Sequence, residues 1–258
     1  MNTFFTKKRF TLCCLIVFSL LLSSCGSRKK VVYFQDAKDF ETIVDTDTFE
    51  PRFKVNDIVS IYVSTFDLEA VKPFNLLKGR SQNGGLEYID YLVDIQGNID
   101  YPVLGKVKII GLTVEEAKNL FKEKLADYLK DPIVNIRILN FRISVHGEVN
   151  RPGIYEVSGE RVTLLQALAL AGDLKSKARR KNVMVIRDFN GNKTFTRIDL
   201  TNKEIFNSPV YYLTQNDLVY VEPNKSAISE SFLDGRLNAT ISIASILITS
   251  TIILLTRN

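Results

Sequence analysis

Two capping boxes stand fifty positions apart in this sequence, Thr113-x-x-Glu116 and Thr163-x-x-Gln166, and each opens a short apolar-faced segment between runs of β-pattern. In such a box the threonine hydroxyl accepts the N–H three residues on, while the glutamate or glutamine reaches back to the cap, so the helix start is fixed locally. After Thr113, Val114, Ala117, Phe121, Leu125 and Tyr128 recur at helical spacing, and Asp131-Pro132 stops the helix. After Thr163 the helix runs to Gly172, the residue type that accepts the left-handed position just past a helix end.

Strands are expected on either side of each helix. Phe53-Lys54-Val55-Asn56-Asp57 is a turn feeding Ile58–Val63; Tyr88–Ile95 turns at Gln96-Gly97-Asn98 into Ile99–Pro102; Ile133–Leu139 follows the first helix. Around the second helix, Arg142–Val149 alternates and Asn150-Arg151-Pro152-Gly153 returns it as Ile154–Val157. Val183–Asp188 and Lys193–Asp199 flank Asn190-Gly191, a strong short hairpin signal. Asn216-Asp217-Leu218-Val219-Tyr220-Val221 echoes Asn56-Asp57-Ile58-Val59-Ser60-Ile61. One helix laid on a small mixed sheet, twice, is an α+β fold, expected as domains over residues 51–139 and 140–223.

The N-terminus has the layout of a secretory signal: Lys7-Lys8-Arg9, the apolar run Phe10–Leu22, then small Ser23 and Ser24 ahead of Cys25. That run is too short to span a bilayer. Leu22-Ser23-Ser24-Cys25-Gly26 resembles the lipobox, at which a signal peptidase cuts before an acylated cysteine. The expectation is a lipoprotein signal peptide over residues 1–24, acyl chains on Cys25 and a lipidated tether over residues 25–50. Each buried methylene contributes about 0.8 kcal/mol, so several chains hold a protein on a membrane firmly. Loss of Lys7, Lys8 and Arg9 takes the 34 basic residues to 31 against 29 acidic, and a near-neutral chain gives no reason to expect nucleic acid. Cys13 and Cys14 would leave with the signal, so no disulfide is expected and packing must supply stability. Arg28-Lys29-Lys30 reads either as a solvated charge run or as contact with anionic headgroups.

Chemistry-bearing patterns are scarce. One histidine, His146, sits in an apolar strand pattern as a structural residue, and with no free thiol there is no zinc cluster, no Cys/His dyad and little for a Ser/His/Asp triad. No P-loop, G-x-G-x-x-G or G-x-S-x-G occurs. No enzyme activity, metal or cofactor is expected. The absence of tryptophan weighs against a tight clamp for sugar rings.

Residues 237–256 are uncharged between Arg236 and Arg257, and as a helix they would extend roughly 30 Å, the thickness of a bilayer core. A transmembrane helix is expected. Asn238, Ser242, Ser245, Thr249 and Thr256 fall on one narrow stripe of it. Small polar residues facing hydrocarbon gain nothing, so the stripe should line an aqueous lumen in an oligomer or form a close-packed seam between helices. Heavy β-branching leaves a transmembrane strand in a shared barrel as a lesser reading.

Several segments together resemble a known family. Tyr91-Leu92-Val93-Asp94-Ile95-Gln96-Gly97-Asn98-Ile99-Asp100-Tyr101-Pro102-Val103-Leu104-Gly105, then Gly111-Leu112-Thr113 and Asp131-Pro132-Ile133-Val134, look like the export domain of the Wza-type outer-membrane polysaccharide export lipoproteins. Val145-His146-Gly147-Glu148-Val149-Asn150-Arg151-Pro152-Gly153-Ile154-Tyr155, with Ala171-Gly172, resembles the soluble-ligand-binding β-grasp module that follows it, and there is room for one such module. The motif residues are Asp94, Gly97, Pro102 and Gly105 in the first domain, and Gly147, Pro152, Gly153, Tyr155 and Gly172 in the second. On physical grounds the glycines are turn or close-packing positions before they are ligand contacts, and the prolines are punctuation. The resemblance implies a homo-oligomeric ring carrying exported polysaccharide through the cell outer membrane. It also implies lipid anchoring, a mostly periplasmic body, and an inner-membrane chain-length regulator or tyrosine-kinase-like protein as partner. The rival reading is a periplasmic binding or scaffolding lipoprotein that holds a ligand and forms no pore.

Overall fold

The computed structural model describes residues 31–39, 49–80, 85–189, 191–233, 240–243, 245–246 and 249–250. Cys25, Asn238 and Thr256 lie outside the described residues. The architecture is mixed α/β with few helices, built around two hydrophobic cores that meet at Ile138.

The first core begins at β1 (Ile58–Ser64), whose alternate residues Val59, Ile61 and Val63 are buried. A hairpin of β2 (Leu77–Arg80) and β3 (Leu86–Tyr88) follows, then β4 (Asp90–Leu92), a second hairpin of β5 (Asn98–Tyr101) and β6 (Gly105–Lys108), helix α1 (Val114–Leu125) and β7 (Ile133–Ile138). β1 is the centre of the sheet, antiparallel to β4 on one side and β7 on the other. Helix α1 lays Val114, Ala117, Phe121 and Leu125 into this core. Both bonds of its capping box form: Glu116 N–H donates to Thr113 Oγ1 at 3.1 Å, and Thr113 N–H to Glu116 Oε2 at 2.7 Å.

Three expectations for this half need correcting. Its sheet is wholly antiparallel rather than mixed. The single strand expected over Tyr88–Ile95 is divided at Ile89, because β3 pairs with β2 while β4 pairs with β1, and Ile89 N–H donates to Leu76 O between the two ladders. The helix ends at Leu125, before Asp131-Pro132. Past Ala126 the 3.6-residue period no longer applies, so Tyr128 is 55% exposed and Leu129 points inward in its place.

The second core is built on β8 (Arg142–Gly147), β9 (Gly153–Glu156), β10 (Val162–Thr163), helix α2 (Leu164–Leu170), β11 (Ala178–Phe189), β12 (Asn192–Ile198), β13 (Tyr212–Leu213) and β14 (Leu218–Pro223). The five-stranded sheet runs β12-β11-β14-β8-β9, and β14 with β8 is its one parallel pair. The second capping box also closes, with Gln166 N–H donating to Thr163 Oγ1 at 3.2 Å and Thr163 N–H to Gln166 Oε1 at 2.8 Å. At the other end of α2, Gly172 N–H donates to Ala169 O and Asp173 N–H to Leu168 O, the paired bonds of a Schellman stop. His146 is exposed on β8 opposite Tyr220, not held inside the sheet as an apolar neighbourhood would suggest.

Residues 31–39 depart from the expected tether by packing on the second core. Phe34 N–H donates to Leu200 O at 3.3 Å, Gln35 N–H to Thr201 O at 2.8 Å, and Lys203 N–H to Asp36 Oδ1 at 2.9 Å. Phe34 stacks on Phe206 with ring centroids 5.3 Å apart, and Tyr33 donates to Asp173. The apolar pair Tyr33-Phe34, hidden in a polar stretch with no period, supplies the docking energy.

The chain leaves β14 into α3 (Lys225–Leu233), whose start is capped where Ala227 N–H donates to Asn224 Oδ1 at 3.0 Å. Among the described residues no helix is long and apolar enough to cross a membrane, so the transmembrane helix expected over residues 237–256 is not supported here. Residues 240–243, 245–246 and 249–250 are helical and exposed, and the rest of that segment lies outside the described residues. Two stripe hydroxyls bond back to their own helix: Ser245 donates to Ser242 O at 2.8 Å and Thr249 to Ser245 O at 2.7 Å. Such bonds meet a hydroxyl's need for a partner without a lumen or a neighbouring helix.

Candidate functional site

The echo between Asn56-Asp57 and Asn216-Asp217 is a repeated turn, and the two copies meet. In each, asparagine takes a left-handed φ, +69° at Asn56 and +64° at Asn216. The following aspartate, fully buried in both cases, accepts from the backbone N–H three residues earlier, Lys54 at 2.8 Å and Thr214 at 2.7 Å. Lys54 Nζ then crosses from the first turn to the second, donating to Thr214 Oγ1 at 2.8 Å and to Gln215 O. Asn140, between β7 and β8, accepts from Ile58 N–H and donates to Asn56 O, both at 2.9 Å, while Gln215 donates to Asn140 O and accepts from Arg142 N–H at 2.7 Å. The linker between the cores is therefore pinned by both turns.

Charge at this junction is buried and unequal. Asp217 receives Arg187 in a forked pair, Nη2 at 2.7 Å and Nε at 3.0 Å, together with Thr214. Asp57 has no such partner. Its Oδ1 is buried without a hydrogen bond, and burial pushes its carboxyl up to about 6, against the smaller pull of the Lys54 N–H and ammonium. Burial likewise lowers Lys54, with the Asp217 charge opposing. An acid whose pKa is higher folded than unfolded holds more protons in the folded state, so it costs stability as pH rises from about 4 to about 6. Asp57→Asn is expected to remove that slope, with the variant gaining about 3 kcal/mol on wild type across the window. Urea unfolding at the two ends of the window would show it, and a constant difference between the two proteins would refute it.

The sequence-derived motif residues fall into two clusters. In the first, Asp94 accepts Asn98 N–H at 2.7 Å, and that bond holds its carboxyl below the usual range. Gly97 closes the same turn at φ +83°, where a Cβ would lie 2.1 Å from Ile110 Cγ2. Pro102 and Gly105 bound the turn from β5 into β6. In the second, the β8–β9 turn clasps the end of α2: Arg151 N–H donates to Ala171 O at 2.8 Å, Arg151 Nη2 to Leu170 O at 3.2 Å, and Asn150 Nδ2 to Gly172 O at 2.6 Å. Tyr155 donates to Arg151 O from the returning strand, with Pro152 and Gly153 between them. Gly147 lies at φ +92°, its α-carbon pressed against β14 so that a Cβ would meet Val221 O at 2.1 Å. These contacts satisfy the carbonyls that a helix end leaves open.

Asp94 and Pro102 also border a surface groove of about 540 Å³, together with Leu76, Ile89, Leu92 and the carboxylates of Asp90 and Asp100. Its floor includes Tyr101, whose ring sits 5.0 Å from both Tyr91 and Phe121. No three candidate ligands converge as a metal site among the described residues. The groove is lined by both apolar and acidic residues. Sequence reading missed the Lys54–Asp57–Arg187–Asp217 junction; the repeated Asn-Asp was its visible signal, read there only as strand grammar.

Comparison with known proteins agrees with this layout. Residues 46–139 match the polysaccharide biosynthesis/export protein family and residues 142–197 match the SLBB domain. The EPS I polysaccharide export outer membrane protein EpsA of Ralstonia solanacearum is 29% identical over 150 residues, 57% of this chain and 39% of that protein. EpsA of Ralstonia nicotianae is 34% identical over 89 residues, 33% of this chain and 23% of its own length. The chain thus matches well under half the length of either relative. Residues 46–139 thus carry a polysaccharide biosynthesis/export domain and residues 142–197 an SLBB domain, and this tandem together with the EpsA similarity supports a Wza-type polysaccharide export family.

Proposed function

We propose that this chain is a non-enzymatic subunit of an outer-membrane conduit that exports polysaccharide. The observation that carries the reading is the tandem of an export domain and an SLBB domain, in a chain similar to a protein named as a polysaccharide export outer membrane protein. The junction supports it, because two cores tied by side-chain hydrogen bonds across their linker can stack as one unit in a ring. Head-to-tail contacts whose rotation closes make a ring with an axial channel. Acyl chains on Cys25 would hold the N-terminus on the membrane, and the uncharged segment 237–256, by its length and composition, would cross it with the stripe of Asn238, Ser242, Ser245, Thr249 and Thr256 turned to the lumen. An uncharged hydroxyl lining gives a hydrated polymer exchangeable hydrogen bonds and no deep site. Energy and chain-length control would come from an inner-membrane partner of the tyrosine-kinase-like class.

Truncation after Leu233 should leave a folded, membrane-attached protein and stop polymer from reaching the cell surface. Normal surface polymer from that strain would sink the conduit reading, and a monomeric or dimeric detergent-extracted particle would exclude a lumen.

A further inference from the structure

The junction holds a cation and an acid that are close in sequence, withdrawn from water, and not paired. Lys54 and Asp57 belong to one turn, in which Lys54 N–H donates to Asp57 Oδ2 at 2.8 Å while Asp57 Oδ1 is buried with no hydrogen bond. The Lys54 side chain reaches to the other core instead of that open oxygen. There its Nζ donates to two uncharged acceptors, Thr214 Oγ1 at 2.8 Å and Gln215 O at 3.4 Å. Among the described residues Lys54 forms no ion pair. The Asp217 charge, which would hold it across the junction, is already matched by Arg187 at 2.7 Å.

That arrangement suits a protonated Asp57 and not an ionised one. A neutral carboxyl leaves the ammonium to satisfy its donors on the second core. A buried carboxylate with an unmatched oxygen is costly, and a bond between charged groups is about twice as strong as one to a neutral acceptor. The charges that act on Lys54 are Asp217, Arg187 and Asp188 from the second core and Asp57 from its own turn, and Arg187 opposes Asp217. Asp57 in its turn feels the Lys54 charge. We infer that Lys54 is a proton-controlled tie between the two cores: with Asp57 protonated it bridges to Thr214 and Gln215, and when Asp57 ionises it swings back onto Oδ1 and releases the second core. The remaining bonds through Asn140 and Gln215 involve no titratable side chain, so the linker stays pinned while the two turns separate. Burial places the Asp57 midpoint at about 6, so the tie is made below that pH and lost as pH rises through it. The device lies within one chain and is independent of any ring.

The test is a double-mutant cycle of Lys54→Met with Thr214→Val in the full chain, read by urea unfolding at about pH 5 and about pH 7, a unit either side of that midpoint. Expected are losses that are non-additive at the lower pH and additive at the higher. The same cycle built on Asp57→Asn, whose side chain carries no charge at either pH, should be non-additive at both. Equal coupling at the two pH values in the wild-type background, or coupling that still changes with pH in Asp57→Asn, would overturn the tie. Hydrogen exchange of the wild-type chain needs no substitution. Corrected for intrinsic rate, a peptide over residues 211–218 should exchange several-fold faster at the higher pH, relative to a peptide from α2. Unchanged exchange there, or a change that α2 shares equally, would overturn it as well.

Discussion

Replacement of Asp217 by alanine should destabilise the protein by about 4 kcal/mol, because it strips the partner from a guanidinium that is itself largely buried. Asp217 is fully inaccessible, and the Arg187 side chain is 14% exposed. Removing the carboxylate also orphans Thr214 N–H, which donates to it at 2.7 Å. A change of that size lowers Tm by roughly 10 °C in a chain of this length. Asp217→Ala/Arg187→Met should recover much of the loss, since an apolar pair of similar volume avoids burying either charge. Arg187 also donates to Tyr212 O at 2.8 Å, so recovery should be incomplete. Calorimetry on the two single variants and the double one gives the coupling directly, and additive losses would show that the pair does not act as a unit.

Gly147→Ala should be comparably severe for a different reason. The residue ends β8 at φ +92°, and its new Cβ would sit 2.1 Å from Val221 O, a backbone atom of β14 that cannot rotate away. Left-handed backbone and overpacking together cost about 3 kcal/mol or more. The damage falls on the parallel β14–β8 ladder, where Tyr220 faces His146 and Val221 faces Gly147. Gly153→Ala, six residues on in the same motif, is the internal control. Its Cβ would find only the Tyr155 hydroxyl, 4.0 Å away, and its φ is ordinary, so the effect should stay within about 0.5 kcal/mol. Similar denaturant midpoints for the two variants would remove the close-approach explanation. The contrast also separates two motif glycines that look equivalent in sequence.

Local features were legible because local forces decide them. Both capping boxes close as spelled, since each threonine meets a partner three residues away. Gly172 terminates α2 because a left-handed residue is needed there and glycine supplies it without strain. The β11–β12 hairpin forms around Gly191, with Asn190 outside the described residues. Failures occurred where a segment had two suitors or none nearby. Tyr88–Ile95 has one continuous β-pattern, yet the hairpin and the central strand each claim a part of it. Tyr33 and Phe34 sit in a stretch without period and find their partners more than a hundred residues away.

The sequence alone determined where α1 and α2 start and most of the face that α1 turns to its core, because capping and helical periodicity act over a few residues. Tertiary structure decided what those motifs do. Asn150 and Arg151 became a clasp on a helix end, and Asn56-Asp57 met Asn216-Asp217 across a junction held by Lys54. Packing decided the pairing there, giving Asp217 an arginine and leaving Asp57 Oδ1 without a hydrogen bond. No spacing in the chain encodes that difference, since it depends on which side chains the folded backbone brings within 3 Å of each carboxylate.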